Sequence, residues 1–282
     1  MLLGFNLLLW TTHVTDEHFP LFAELKRAGY DGVELPIFEG EPGHFARVGQ
    51  VLRDEGLRCT AVTVLPDETQ SAVHHDPASR QGAVNRLTWA LDCLKAAGGE
   101  VLCGPFYQPL GVFTGEPPTA REREHLAEVH KEAAAYADRL GIKVSVEPLN
   151  RFECHALNTV EDAAAIVERV GAPNYGLLYD SFHANIEEKD PVGVIGRYLP
   201  VINHVHLSEN DRGTPGKGHV PWAPTLRAFK QGGYQGWFVI EAFGRALPAL
   251  AAATRVWRDF FPHREEVYRF GHDFLRETWA KA

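Results

Sequence analysis

The chain has 282 residues, 45% of them hydrophobic, 23% charged and 11% aromatic. That mixture excludes a disordered, collagen-like or coiled-coil chain and is too mixed for a membrane protein; the length suits two small domains or one α/β barrel of roughly 250 residues. Lys and Arg total 28 against 37 Asp and Glu, a formal charge of −9, which argues against nucleic acid as a partner because neutralising phosphates takes a basic face.

Short aliphatic or β-branched runs alternate with longer amphipathic stretches. The apolar opening, residues 1–10, has no basic flank or small-residue cleavage site and is too short to cross a bilayer, so it reads as a buried first strand. Residues 16–28 carry Phe19, Phe22 and Leu25 at helical spacing and stop at Gly29, and 32–36 form a short strand that Pro36 must end. A helix over 45–54 stops at Gly56, and 58–65 reads as a buried strand. Residues 80–97 place Leu87, Leu91 and Leu94 on one helical face ahead of Gly98 and Gly99. A strand over 100–103 and a long helix over 119–140, ended by Gly141, complete the first half.

The second half repeats the rhythm, with strands over 142–146, 175–179, 201–207 and 237–240. Helices are expected over 159–170, where Thr159 is the N-cap and Asp162 lies in the first turn, and over 191–198, 224–230 and 248–260. A last helical segment from about 263 to 279 forms a C-terminal extension. Alternating strands and helices imply parallel pairing, because adjacent parallel strands need a crossover. Roughly eight such units point to one α/β domain over residues 1–282, a (β/α)8 TIM barrel; no G-x-G-x-x-G turn follows the first strand, as an open dinucleotide-binding sheet would need. Cys59, Cys93, Cys103 and Cys154 form no CxxC pair and read as reduced, buried thiols in a cytoplasmic protein.

Glu147, Asp180, His206 and Glu241 each stand at or just past the C-terminal end of a strand, the fifth to the eighth. In a parallel barrel those ends converge on the face where active sites are built. Carboxylates with one imidazole suit a divalent cation of the manganese, magnesium or cobalt type rather than a thiolate-selected metal. Taken singly each has a plainer role, and Asp180 could simply cap the next helix; four on successive strand tips point to a site. His204 shares a strand face with His206 but lies deeper and reads as a hydrogen-bonded interior residue. Glu153, His183 and Arg212 follow Glu147, Asp180 and His206 by six, three and six residues, in loops over the same face.

The runs Glu147-Pro148-Leu149-Asn150-Arg151-Phe152-Glu153, Asp180-Ser181-Phe182-His183, His204-Val205-His206 with Arg212-Gly213, and Ile240-Glu241 resemble the ketose 3-epimerases. These are the D-tagatose, D-allulose (psicose) and L-ribulose 3-epimerases among the xylose isomerase-like barrels, and the resemblance is sharp over residues 142–245. It implies that Glu147, Asp180, His206 and Glu241 hold one metal ion, usually manganese, with cobalt or magnesium substituting. It implies that Glu147 and Glu241 are an acid/base pair on opposite sides of the sugar C3, working through an enediolate. Glu153, His183 and Arg212 would hold the O1–O2 end of a small ketose, and the assembly would be a homodimer or homotetramer. Asn6 departs from the family at the first-strand rim, where relatives often carry an aromatic residue or His.

Other activities fit the same scaffold. An aldose–ketose or hydroxypyruvate-type isomerase needs a similar enediolate and metal, although a Gln tends to replace the seventh-strand His in the latter. The loop 212–218, rich in Gly with Arg212 and Lys217, follows the seventh strand where barrels often bind phosphate, which leaves a sugar-phosphate epimerase open. A DNA-repair nuclease on this barrel would need more His ligands and a basic groove.

Overall fold

The computed structural model describes residues 1–282. Eight strands run β1 (Leu2–Asn6), β2 (Gly32–Pro36), β3 (Arg58–Val62), β4 (Val101–Gly104), β5 (Lys143–Val146), β6 (Tyr175–Asp180), β7 (Ile202–Leu207) and β8 (Trp237–Ile240). Each pairs in parallel with its sequence neighbours, and β8 pairs with β1 to close the barrel. The helices are α1 (Phe19–Ala28), α2 (Pro42–Asp54), α3 (Pro77–Ala97), α4 (Ala120–Leu140), α5 (Val160–Val170), α6 (Ser181–Glu187), α7 (Gly193–Tyr198), α8 (Trp222–Gln231), α9 (Pro248–Ala253) and α10 (Arg264–Lys281). The chain is a TIM barrel with a C-terminal helix. None of these helices is long and apolar enough to cross a membrane.

Side-chain alternation divides each strand between two environments. Outward residues such as Phe5, Leu35, Val144, Leu177 and Phe238 join the helices in one large buried core. The inner face is more polar: Glu34, Thr60, Ser145, His204 and His206 are all buried there. The floor is plugged by Trp237, whose ring lies 4.9 Å from the Arg58 guanidinium carbon. Gly32 makes room for it, since a Cβ there would stand 2.7 Å from the Trp237 ring and 2.5 Å from the Arg58 carbonyl.

Long helices follow the expected limits closely because their ends carry strong local signals. Thr119 and Glu122 close a capping box on α4, Thr159 and Asp162 another on α5, and Gly141 and Gly171 end both in the left-handed conformation. Other segments differ from expectation: of the opening run read as a first strand only Leu2–Asn6 is strand, followed by a 3-10 turn over Leu7–Leu9 that Asn6 caps, and the strand expected over 58–65 ends at Val62. The helix expected over 248–260 stops at Ala253, because Arg255 adopts φ 60° and turns the chain so that Val256 buries against the barrel mouth. Residues 181–187, expected as loop, form α6, which starts directly from the tip of β6 with Asp180 as its N-cap.

Candidate active site

One ligand-type atom from each of Glu147, Asp180, His206 and Glu241 lies within 4.8 Å of the others, and all four residues are buried. Backbone register sets them level. Asp180 is the direct partner of His206 across β6 and β7, after a bulge that shifts the pairing between Leu177 and Leu178. Asp180 does two things at once: one carboxylate oxygen accepts from the Phe182 amide at 2.6 Å, and the other lies 3.9 Å from His206 Nδ1. His206 Nδ1 is also 3.4 Å from Glu241 and 3.8 Å from Glu147. It is buried with no hydrogen-bond partner.

The two glutamates differ in how they are held. Glu241 accepts from Arg212 Nη1 at 2.7 Å and from Asn6 Nδ2 at 3.0 Å. The Glu147 carboxylate borders the cavity above the site, and its nearest basic neighbours, His183 Nε2 and His206 Nδ1, stand 3.7 and 3.8 Å away. Burial pushes Glu147 well above the usual carboxylate range, with Glu241 and Asp180 adding to it. Burial acts against ionised Glu241 too, yet the His206 and Arg212 charges hold it below that range. Burial likewise opposes a proton on His206, but Glu34 and Glu241 draw one there, well above the ordinary imidazole value. Crowding thus drives protons onto Glu147 and His206. A divalent cation among the same four groups would balance their charge without those protons, and the unpartnered Nδ1 supplies its nitrogen ligand, so the residues fit such an ion.

Arg212 organises the rest. Its Nη1 donates to Asp180 at 2.9 Å and Nη2 lies 2.8 Å from His183 Nε2, while the guanidinium stacks 3.8 Å from the Phe182 centroid. Burial, reinforced by the Arg212 charge, keeps His183 neutral. Glu153 accepts from Asn150 Nδ2 at 2.8 Å, and burial raises its carboxyl. Glu147, Glu153, His183, Arg212 and Glu241 all line one cavity of about 230 Å³, whose opposite wall includes Leu8, Phe38, Leu110 and Leu250.

All seven residues expected from the sequence therefore meet in one place. Three further groups, Glu34, Asn150 and Glu209, went unseen, and Asn6, singled out as a rim position, stands elsewhere. Glu34 lies within a five-residue apolar strand, and a lone carboxylate in such a run is itself a signal. Asn6 is fully buried below the cavity, tied to Glu34 and Glu241, and does not line the substrate wall. Asn150 braces Glu153, and its backbone N–H lies 3.0 Å from His183 Nδ1. Glu209, fully buried, accepts from Gly216 N, Val220 N and Trp222 Nε1. Glu209 thereby takes up the Gly216 amide of the loop after β7 and the Val220 amide just beyond it.

A closed parallel barrel with four buried acid or imidazole groups on consecutive strand tips is the frame of an enzyme whose site could hold a metal ion, and comparison with known proteins gives its family. The model of the xylose isomerase-like TIM barrel family matches residues 22–278. A probable ketose 3-epimerase of Synechocystis is 33% identical over 98% of this chain and 96% of its own length. The ketose 3-epimerase of Arthrobacter globiformis is 31% identical over 98% and 96%. The crystal structure of D-allulose 3-epimerase from Methylomonas, in complex with D-allulose, superposes with a TM-score of 0.92 at 28% identity, covering 99% of this chain and 97% of that one. The chain belongs to the ketose 3-epimerase family of xylose isomerase-like TIM barrels.

Proposed function

We propose that this chain epimerises free ketoses at C3, of the D-allulose/D-fructose, D-tagatose or L-ribulose type, with one divalent metal ion. Glu147, Asp180, His206 and Glu241 would hold the ion, manganese in the first instance, with cobalt or magnesium as substitutes. The observation that carries this reading is the convergence of those four groups around an unpartnered imidazole nitrogen, with Glu147 and Glu241 on the wall of a sugar-sized cavity.

A proton on the carbon beside a ketone is only weakly acidic. When bound, the ion supplies Lewis-acid stabilisation of the negative charge that grows on the ketose oxygens. Glu147 and Glu241 flank the substrate carbon. One takes the C3 proton, leaving a planar enediolate, and the other returns a proton from the opposite face, which inverts the centre. The substrate's configuration decides which begins. Glu241, held by Arg212 and Asn6, and Glu147, at the border of the cavity, would each act as base in one direction of the reaction and as acid in the other. Glu153, His183 and Arg212 would hold the O1–O2 end, and the apolar wall would exclude water.

Two features favour a free sugar over a phosphorylated one. Arg212 is the single cationic lining residue apart from neutral His183, and it is already committed to Asp180 and Glu241. Glu209 also takes up the Gly216 amide of the loop after β7, which leaves that loop one donor fewer for a phosphate. For the assembly we propose a homodimer or homotetramer, because Phe152 and Trp257 remain 65% and 67% exposed on the loops of the mouth; sedimentation equilibrium reads the state directly. The four buried free thiols fit a reducing, cytoplasmic compartment.

The test is incubation with D-fructose and Mn2+, followed by separation of the sugars. D-allulose is expected; D-glucose or D-mannose would make the enzyme an aldose–ketose isomerase instead. Glu147→Gln and Glu241→Gln should each lower turnover by at least about 1000-fold with the fold intact by circular dichroism, since each removes a group that must carry the proton. Near-normal turnover in either variant removes these role assignments.

A further inference from the structure

Beneath the four strand-tip groups lies a second buried cluster that the reaction scheme does not use: Glu34, Cys103 and His204, with His206 shared between the two. Glu34 Oε1 lies 2.7 Å from His206 Nε2 and accepts from Asn6 Nδ2 at 3.0 Å. Its Oε2 lies 2.7 Å from His204 Nε2 and accepts from Thr60 Oγ1 at 2.9 Å and Cys103 Sγ at 3.2 Å. Every residue in this set is fully buried or nearly so.

The distances decide between a second metal site and a hydrogen-bond network. Donor atoms about 2.0–2.2 Å from a tetrahedral ion stand about 3.3 Å or more apart. Nitrogen–oxygen separations of 2.7 Å leave no room for an ion between Glu34 and either imidazole. They are charge-assisted hydrogen bonds. A carboxylate that receives donors on both oxygens is an acceptor throughout, so each imidazole must present Nε2–H to it. For His206 that leaves Nδ1 as the lone-pair nitrogen, and Nδ1 is the atom that faces Glu147, Asp180 and Glu241.

We propose that Glu34 is a positioning residue for the active site: it fixes His206 in the tautomer and ring orientation that offers Nδ1 to the metal and, through Asn6, ties Glu241 to the same anchor. Asn6 makes the second link with a single amide nitrogen, 3.0 Å from Glu34 Oε1 and 3.0 Å from Glu241 Oε1. Its own Oδ1 accepts from Leu8 N at 2.8 Å, which fixes the amide orientation. The residue at the tip of β1 is thereby a strut between an acid/base glutamate and the partner of a metal ligand. This inference rests on the reading that the four strand-tip groups hold a divalent ion.

The experiment uses the full chain, stripped of metal and titrated with Mn2+ by calorimetry. Wild type should take up one ion per chain, and Glu34→Gln should bind it about 10- to 100-fold more weakly, the usual consequence of losing the hydrogen-bond partner of a ligating His. Glu34→Asp should recover part of that loss, and circular dichroism of the metal-free proteins should match. Wild-type affinity in Glu34→Gln, with wild-type kcat, overturns the proposal and leaves the proposed function standing. Wild type that binds no Mn2+ overturns both. Two ions per chain, the second lost in Cys103→Ser, would make the lower cluster a metal site and overturn the proposal. If Glu34→Gln fails to fold, long-range proton–nitrogen spectra of histidines in the Mg2+-loaded wild type decide: a proton on His206 Nε2 is expected, and one on Nδ1 overturns the assignment.

Discussion

At the scale of single residues, the site is arranged by groups that each satisfy several constraints. Arg212 has φ 64°, a left-handed conformation that an L-residue adopts at a cost. The conformation places its guanidinium against the Phe182 and Phe243 rings, where it reaches Asp180, Glu241 and Ser208 through one nitrogen and His183 through another. A lysine would keep the charge but not the planar fork or the stacking. Arg212→Lys should therefore lower kcat/KM by about 10- to 100-fold, the worth of one charge-assisted hydrogen bond of about 1.5–3 kcal/mol. Initial-rate kinetics across a ketose concentration series checks this, with circular dichroism as the control for folding. An unchanged kcat/KM would show that charge alone suffices at this position.

At the scale of elements, legibility follows from how local the physics is. The helix over 120–140 was readable because its cap, its acidic first turn and its terminal glycine are all sequence neighbours. Helix α6 was not, because its cap Asp180 is also a strand-tip group of the site and its seven residues alternate polar and apolar side chains, a pattern without helical spacing. The strand tips were readable because a parallel barrel sends every strand's C-terminal end to one face. Glu34 was not, since its partners His204 and His206 lie about 170 residues away and only barrel closure brings them together. The same split governs pH response. His130 on α4 sits between the Tyr175 hydroxyl at 2.6 Å and the Phe106 carbonyl at 3.0 Å, and burial lowers it from 6.5 to about 4. Above pH 6.5 the ring is neutral in folded and unfolded chains alike and adds no slope. As pH falls from 6.5 to about 4 the unfolded chain takes up a proton that the folded chain refuses, so stability declines. Each unit of that window costs about 1.4 kcal/mol from this group. Chemical denaturation of wild type and His130→Gln at pH 7 and pH 5 should show the smaller loss in the variant, by about 2 kcal/mol. Equal losses would mean that His130 is already charged in the fold.

At the scale of the whole molecule, the proposed cation site and the barrel are built from the same strands. The four strand-tip groups come from β5 to β8, and β8 closes the ring on β1. Helix α10 holds both sides of that seam: Arg276 reaches Asp31 at 2.8 Å and the Met1 carbonyl at 2.8 Å beside β1, and the Trp279 ring packs on Phe238 of β8 with centroids 5.4 Å apart. Unfolding therefore cannot proceed far without separating groups that a bound ion would join. An ion that binds only the folded chain stabilises it by mass action, about 2.7 kcal/mol at 100 times Kd. For a protein of this size that corresponds to a rise of about 5–10 °C in Tm. Mn2+ added to metal-stripped protein should produce that rise, and a chelator should reverse it. Asp180→Asn should retain the cap on Phe182 through its amide oxygen yet lose most of the Mn2+ response, because the second carboxylate oxygen is gone. A wild-type rise in the Asn variant would separate the thermal effect from this site and place the ion elsewhere on the chain.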